Sequence, residues 1–280
     1  MRPGLAACAT LCGVLAGTAA APPPTRILFI GNSLTVANDL PKMLTTMASA
    51  AGIPLTYRVV AHPDYSLEDH WTRGDAAQAI ASERWSFVVL QQGPSALPES
   101  RVLLRDYTKR FAALASRAGA RTALFMVWPS MDRNLDFDGV HESYRLAAAD
   151  VHGVFVPAGD AWREVWRQRP GAALYGPDGF HPTPFGSYVA AAAMFAALFD
   201  RSAVGLPAPG LTPADAAAAQ RAAESLRRAS REPSLAAYIA CASCSSIHDV
   251  PNRSRSIANR FANGVCSSFM KTSPPSVSPR

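Results

Sequence analysis

Short apolar runs alternate with helical patterns along most of this chain, and this alternation constrains the fold more than any other feature. Nearly continuous apolar runs are typical of strands covered on both faces, and their alternation with helices is typical of βαβ units. The sequence therefore predicts an α/β fold, a three-layer α/β/α sandwich with a five-stranded parallel sheet. The predicted strands are residues 26–30, 55–60, 87–90, 123–127 and 154–156.

The predicted helices lie between and after these strands. They cover residues 40–51, 75–82, 101–118, 140–151, 161–167 and 183–199. With them, the main domain is predicted to span residues 22–200. A linker rich in Pro and Gly and an Ala-rich helix at 213–229 make up residues 201–230. The Ser-, Pro- and Arg-rich tail at 231–280 has no sustained period and is predicted to be mostly disordered.

Residues 1–21 have the pattern of a secretory signal peptide. Arg2 precedes an apolar stretch at 5–15, and small residues up to Ala21 precede Pro22. The alternative is an amino-terminal membrane anchor, but the stretch is short for a span and is followed by prolines. The sequence therefore predicts cleavage after Ala21, a secreted or periplasmic protein, and no stable membrane insertion after signal removal.

The net charge of +6, from 27 basic and 21 acidic residues, is concentrated at the ends of the chain. Six basic and two acidic residues lie in 231–280, so residues 22–230 are nearly neutral. This balance argues against a nucleic-acid partner for the folded part. All five cysteines also lie outside 22–240, so we expect no disulfide framework there.

Binding and catalytic sites in open parallel sheets lie at the carboxyl ends of the strands, so the segments that follow the strands are the candidates for a site. Gly31-Asn32-Ser33-Leu34-Thr35 follows the first strand and places a serine hydroxyl on a strand-to-helix turn. The backbone N–H of Ser33 lies near the amino end of the next helix, where developing negative charge is stabilised. The alternative is that Ser33 only caps the helix.

Two amides, Gln91 and Gln92, follow the third strand. An uncharged amide can donate a hydrogen bond to an oxyanion, or it can satisfy backbone groups in the turn before Gly93-Pro94. After the fifth strand, Asp178 precedes His181 by three residues in a loop rich in Gly and Pro. Such a loop can hold the carboxylate against one ring nitrogen while the other faces a serine. The alternative is a turn cap beside a polar loop histidine.

Two of these segments together resemble a known family. Residues 26–35, Arg-Ile-Leu-Phe-Ile-Gly-Asn-Ser-Leu-Thr, resemble the first block of the SGNH (GDSL-type) hydrolases, with Asn32 where the motif more often has Asp. Asp178-Gly-Phe-His-Pro resembles their last block, and the spacing fits over 26–199. The middle blocks depart from the pattern: residues 61–71 lack the usual glycine, and glutamine replaces the usual asparagine after the third strand, as in one branch of the superfamily.

The resemblance implies a flavodoxin-like fold and acyl transfer. Ser33 would be the nucleophile, His181 the base and Asp178 the group that orients the imidazole. The oxyanion would be met by the N–H of Ser33, an N–H of the Asp64 to Ser66 turn, and an amide after the third strand. The oxyanion-hole residues are thus predicted to be Ser33, Tyr65, Ser66, Gln91 and Gln92.

Three further side chains are candidates for substrate contact. Trp71 and Trp128 follow the second and fourth strands and could stack on a sugar ring, although core packing is equally consistent with the sequence. His70 lies near the turn that follows the second strand, and the alternative interpretation is that it is a solvent-exposed loop residue. No metal and no cofactor are expected, because Cys241 and Cys244 lack a second pair of ligands.

The sequence therefore predicts an exported serine esterase that acts on a small-molecule or carbohydrate acyl ester, such as an acetylated sugar. An acyltransferase with the same three residues is an alternative, because a sequence of this type does not distinguish water from a sugar hydroxyl as the acceptor of the acyl group. A catalytically inactive glycan-binding module is the alternative from another class, because fold does not fix function.

Overall fold

A five-stranded parallel sheet forms the centre of the computed structural model, which describes residues 23–231. The strand order is β2-β1-β3-β4-β5, and each neighbouring pair is parallel. This order is that of flavodoxin-like folds. The strands are β1 Thr25–Gly31, β2 Leu55–Ala61, β3 Phe87–Leu90, β4 Arg121–Phe125 and β5 Val154–Val156.

Nine α-helices connect or follow the strands in the described part of the chain. They are α1 Ser33–Val36, α2 Leu40–Ala50, α3 Leu67–Arg73, α4 Asp75–Ser82, α5 Pro98–Arg117, α6 Phe137–Asp150, α7 Ala158–Gln168, α8 Pro184–Phe199 and α9 Pro213–Arg231. Two 3₁₀ segments, Ala37–Asp39 and Met131–Asp136, extend the loops after β1 and β4.

The helices form two layers, one on each face of the sheet. Helices α2 and α7 pack against α8 in one layer, and α3, α4 and α6 pack against α5 in the other. Helix α8 is apolar on nearly every side and is buried along almost its whole length, as expected for a helix inside the domain. The α/β/α sandwich with a five-stranded parallel sheet is therefore confirmed.

The observed elements differ from the predicted ones in four respects. Helices α5, α6 and α7 each begin three residues before the predicted starts at 101, 140 and 161. Strand β4 begins and ends two residues before the predicted 123–127 run, because Met126 and Val127 are buried but lie beyond the ladder. The helices α1 and α3 were not predicted, because both are shorter than the pattern of a helical face requires. Strand β2 is not covered on both faces: it lies at the edge of the sheet, and three of its seven residues are exposed.

Contacts between Cα atoms divide the chain into Met1–Arg228 and Ala229–Arg280, and the fold described here is that of the first unit. The predicted signal peptide lies outside the described residues, as does the tail beyond Arg231, so both stay predictions. Helix α9 begins at the predicted residue, and its Gln220 donates a buried hydrogen bond to Tyr188 of α8 at 2.8 Å. None of the described helices has both the length and the apolar character needed to cross a membrane.

Candidate active site

Three side chains from opposite ends of the domain meet at the carboxyl edge of the sheet. Ser33 is the first residue of α1, directly after β1, whereas Asp178 and His181 lie in the loop that precedes α8. His181 Nε2 lies 2.9 Å from Ser33 Oγ, and His181 Nδ1 lies 2.6 Å from Asp178 Oδ2. The three residues singled out in the sequence are thus joined by one continuous chain of hydrogen bonds.

The Asp178 carboxylate also organises the loop that carries it. Its Oδ1 accepts hydrogen bonds from the backbone N–H of Phe180 at 3.0 Å and of His181 at 2.9 Å. The hydrogen bond with the His181 side chain, followed by that with the Phe180 backbone, lowers the pKa of Asp178 to about 2. The carboxyl group is therefore ionised, and it fixes a proton on His181 Nδ1, which leaves Nε2 to accept from Ser33.

The turn that carries Ser33 is short and closely packed. Asn32 caps α1, because its Oδ1 accepts from the backbone N–H of Leu34 at 3.1 Å. Gly31 has no room for a side chain: a Cβ there would lie 2.5 Å from Gln91 Oε1 and would also clash with Thr35 Oγ1. The backbone N–H of Ser33 has no acceptor among the described residues, so it is available to donate a hydrogen bond to a ligand at the start of α1.

Gln91 is fully buried and belongs to this turn. Its Oε1 accepts from the backbone N–H of Asn32 at 2.9 Å and from Thr35 Oγ1 at 2.7 Å. Its Nε2 donates to Asn32 Oδ1 at 3.0 Å and to the Gln92 carbonyl at 2.6 Å. Gln91 does not line the crevice beside Ser33, and both of its amide hydrogens are used within the turn. Its predicted oxyanion role is therefore wrong for this structure, and the residue supports the turn that carries Ser33 instead.

Gln92 lines the crevice onto which Ser33 opens. Its Nε2 donates to Ser95 Oγ at 2.8 Å and, more weakly, to the Ser100 carbonyl at 3.4 Å, and its Oε1 accepts from the backbone N–H of Leu67 at 3.1 Å. The Ser95 hydroxyl is a side-chain partner, which a substrate oxygen can replace at the cost of one hydrogen bond for another. Of the two glutamines, Gln92 is the one whose amide can reach a ligand.

Tyr65 and Ser66 line the same crevice, but their backbone donors are used within their own turn. The N–H of Tyr65 donates to the carbonyl of His62 at 3.3 Å. The N–H of Ser66 donates to Asp69 Oδ2 at 2.8 Å, as one half of a capping box at the start of α3. The structure therefore does not provide the oxyanion donors predicted at these two residues.

Asn32 is a site residue that the sequence analysis treated only as a departure from a motif. Its Nδ2 donates to the Tyr65 carbonyl at 3.1 Å, and the second hydrogen on this nitrogen has no acceptor among the described residues. The residue is 6% exposed and lines the crevice. An aspartate cannot donate a hydrogen bond here, so asparagine in place of the more usual aspartate was the available signal.

The two tryptophans predicted to contact substrate lie elsewhere. Trp128 is fully buried and stacks on Trp162 at 3.7 Å between ring centroids, and its Nε1 donates to the Phe180 carbonyl at 3.0 Å. Trp71 packs edge-on against Phe111 of α5, at 5.3 Å between centroids. Neither ring lines the crevice. The prediction that they stack on a substrate is wrong, because both rings are used in packing within the domain.

His70 is also fully buried, not solvated and not at the crevice. Its Nε2 lies 2.8 Å from the carbonyl oxygen of Gly31, two residues before Ser33. Burial lowers the pKa of His70 below its ordinary value, so the ring is neutral at neutral pH. Its predicted substrate contact is therefore replaced by a contact with the end of β1.

The crevice beside Ser33 has a volume of about 520 Å³. Beyond the residues already described, the wall of the crevice is mostly apolar on the side of α5. The opposite side includes an ion pair between Arg133 and Asp136. A pocket of this size holds a small ligand. The apolar lining residues outside the turns are Ala96, Leu97, Leu103, Pro129 and Phe180.

Comparison with solved structures gives several matches to this fold. A protein assigned to the SGNH hydrolases from Slackia heliotrinireducens is 27% identical, with a TM-score of 0.54 over 63% of this chain and 100% of that chain. A DUF4886 family protein from Bacteroides uniformis is 19% identical, with a TM-score of 0.64 over 76% and 99%. A GDSL-like lipase from Parabacteroides merdae is 15% identical, with a TM-score of 0.52 over 63% and 96%.

The second and third of these matches show a shared fold alone. No protein-family model and no curated protein matches the sequence. The glutamine-bearing branch suggested by residues 91–92 stays a prediction.

Proposed function

We propose that this chain, which belongs to the SGNH (GDSL-type) hydrolases, is a serine esterase that cleaves small acyl esters through an acyl-enzyme on Ser33. The observation that carries the proposal is the hydrogen-bonded chain from Asp178 through His181 to Ser33, which opens on a small crevice. Such a chain activates a hydroxyl that is a weak nucleophile by itself.

In the first half of the reaction, Ser33 Oγ attacks the ester carbonyl carbon while its proton passes to His181 Nε2. Asp178, ionised at neutral pH, stabilises the imidazolium. The tetrahedral intermediate then collapses, the bond to the alcohol oxygen breaks, and the leaving alcohol takes the proton from Nε2. The products of this half-reaction are the free alcohol and an acyl group on Ser33.

In the second half, water takes the place of the alcohol. It gives a proton to His181 Nε2 while its oxygen attacks the acyl carbon. When the bond to Ser33 Oγ breaks, the proton returns from Nε2 to Oγ. The carboxylic acid leaves, and the starting state of the three residues is restored.

The oxyanion of each tetrahedral intermediate needs hydrogen-bond donors that face the carbonyl carbon attacked by Ser33. We assign the unpaired N–H of Ser33 as the first and the Gln92 amide as the second, with the spare N–H of Asn32 as the third. All three residues line the crevice. Removing one donor of this type typically lowers turnover about 10²- to 10³-fold.

The crevice has room for a small acyl group together with its alcohol. An acetyl ester, on a small molecule or on a carbohydrate, is therefore the substrate class we propose. Export remains part of the proposal on the strength of residues 1–21.

The test is hydrolysis of p-nitrophenyl acetate and labelling by a fluorophosphonate probe, with Ser33→Ala and a matched Ser130→Ala control. Ser130 lines the same crevice, but the hydroxyl bonded to His181 Nε2 is that of Ser33. Wild type and Ser130→Ala should be labelled and active, and Ser33→Ala should be neither. Labelling that survives in Ser33→Ala would show a different nucleophile. An inert wild type would favour the glycan-binding module, and a transferred product with an added sugar acceptor would favour an acyltransferase.

A further inference from the structure

A second group of polar side chains lies beside the nucleophile turn but takes no part in the proposed reaction. It consists of His62 after β2, His70 on α3 and Asp75 at the start of α4. One ligand atom from each residue lies within 4.8 Å of the other two. His62 Nε2 is 2.8 Å from Asp75 Oδ2, and the two imidazole rings are 5.6 Å apart between centroids.

His70 is the residue that makes this group unusual. Its Nε2 lies against the Gly31 carbonyl oxygen, which can only accept, so the proton is on Nε2 and Nδ1 carries a lone pair. His70 is 0% exposed, and its Nδ1 has no hydrogen-bond partner among the described residues. Buried polar atoms without a partner are rare in native proteins, and each one calls for an explanation.

We propose that His62, His70 and Asp75 bind a divalent transition-metal ion of the zinc class. Two imidazole nitrogens and one carboxylate oxygen are ligands that such ions prefer, with water at a fourth position. Since the Nε2 of His70 is held by Gly31, Nδ1 is the atom that binds the ion, and the ion becomes its missing partner.

The side chains must rearrange slightly to reach metal-ligand geometry. Ligand atoms about 2.0–2.2 Å from a tetrahedral ion are about 3.3 Å apart. The 2.8 Å separation of His62 Nε2 and Asp75 Oδ2 must therefore open, whereas separations near the 4.8 Å limit must close. The side chains of His62 and Asp75 are 29% and 34% exposed, so both can rotate towards the fixed His70 and the ion can enter from solvent. Before the ion binds, His62 Nε2 carries the proton that it donates to Asp75 Oδ2. Binding breaks this hydrogen bond, and the ring takes its other tautomer, with the proton on Nδ1, so that Nε2 is free to bind the ion.

The surroundings of the three residues contain both a support and a competitor. The hydrogen bond from His70 to Gly31 is the second contact that metal-bound histidines usually make, and it fixes the tautomer. Asp75 Oδ1 accepts from the backbone N–H of Ala76 at 2.8 Å, which orients the carboxylate. Arg73 Nε lies 2.9 Å from Asp75 Oδ2 and competes with the ion, but its side chain is 53% exposed and can move into solvent.

The ion would have a structural role in this arrangement. It would join the loop after β2 to α3 and α4, and through His70 it would support the end of β1 that leads to Ser33. We therefore expect bound zinc to raise the melting temperature of the protein.

The experiment is a zinc titration of the full chain in competition with a chromogenic chelator, with the variants His62→Ala and Asp75→Asn. Both residues are partly exposed, so their replacement leaves the core intact. The matched control is His141→Ala, because His141 Nδ1 forms a similar pair with Asp160 Oδ2 at 2.7 Å but belongs to no group of three ligands among the described residues. Cysteines at the end of the chain are the same in every variant, so zinc held by thiolates cancels in the comparison.

We expect wild type and His141→Ala to bind one more zinc ion than His62→Ala and Asp75→Asn, or to bind it at least about 100-fold more tightly. Zinc should also raise the melting temperature of wild type and His141→Ala, but not that of the two site variants. Equal stoichiometry and affinity in wild type, His62→Ala and Asp75→Asn would overturn the proposal. This result is independent of esterase activity, because zinc binding is measured without substrate and with Ser33 and His181 unchanged in every variant.

Discussion

The side chain of Gln91 makes two reciprocal contacts with Asn32. Gln91 Oε1 accepts from the backbone N–H of Asn32 at 2.9 Å, and Gln91 Nε2 donates to Asn32 Oδ1 at 3.0 Å. A residue at the end of β3 thus holds the turn at the end of β1, and the position of Ser33 depends on a side chain 58 positions away in the sequence.

Replacing Gln91 by Ala should destabilise the protein and slow the reaction. The change leaves the Asn32 N–H and the Thr35 hydroxyl buried without their acceptor, and each unsatisfied buried group costs about 1–3 kcal/mol. We expect the free energy of unfolding to fall by at least about 2 kcal/mol in urea denaturation. The exposed Gln78→Ala is the control and should stay within about 0.5 kcal/mol of wild type. An equal loss in both variants would contradict the role given to Gln91.

Replacing Gly31 by Ala should displace Ser33, the proposed nucleophile. The new Cβ would clash with Gln91 Oε1 and Thr35 Oγ1, so the turn has to move. Because a displacement of about 1 Å can cost about a hundredfold in rate, we expect kcat for p-nitrophenyl acetate to fall by about that factor. Gly93→Ala is the matched control: it lines the same crevice, and its Cβ would meet no heavy atom within 4 Å. Similar rates for Gly31→Ala and wild type would show that the turn adapts without loss.

The sheet and the meeting of Ser33, Asp178 and His181 at its edge could be predicted from the sequence, because strand runs are local patterns and the two end motifs fix their own loops. The roles of Gln91, Trp128 and His70 could not. Each lies next to a strand end or a turn, so its residue type is consistent with a ligand contact. Whether the side chain faces the crevice or the interior depends on partners such as Asn32 and Trp162, which only the tertiary fold brings near.

On the acid side of the pH profile, kcat/KM should depend on the protonation of a single group. Asp178 has its pKa lowered to about 2 by its hydrogen bonds with His181 and the loop backbone, so it loses its charge only when the pH falls to that region. Above about pH 4 it is a carboxylate, so Asp178 should contribute no protonation step to the acid loss of kcat/KM there. We expect log(kcat/KM) to fall with a limiting slope of one. A slope of two between about pH 4 and 7 would show that a second group, such as Asp178, titrates there.

Asp178→Asn should test whether Asp178 holds His181 in the tautomer that the proposed reaction needs. The amide can still accept from the loop backbone through its oxygen, but its nitrogen would face His181 Nδ1 as a donor and favour the wrong tautomer. We expect kcat to fall by about three to four orders of magnitude with little change in KM. Circular dichroism should show a folded variant. A fall of less than about tenfold would mean that His181 is oriented by other groups.

Trp128→Phe should distinguish support of the loop from contact with substrate. The indole donates to the Phe180 carbonyl at 3.0 Å, beside His181, and phenylalanine removes this donor while it keeps an aromatic ring against Trp162. Loss of one such hydrogen bond costs about 0.5–1.5 kcal/mol of stability, and the loop that carries His181 becomes less well held. We expect kcat to fall several-fold with KM nearly unchanged, whereas Trp71→Phe, whose ring packs on Phe111, should leave both constants unchanged. A higher KM at constant kcat for Trp128→Phe would instead support direct stacking on the substrate.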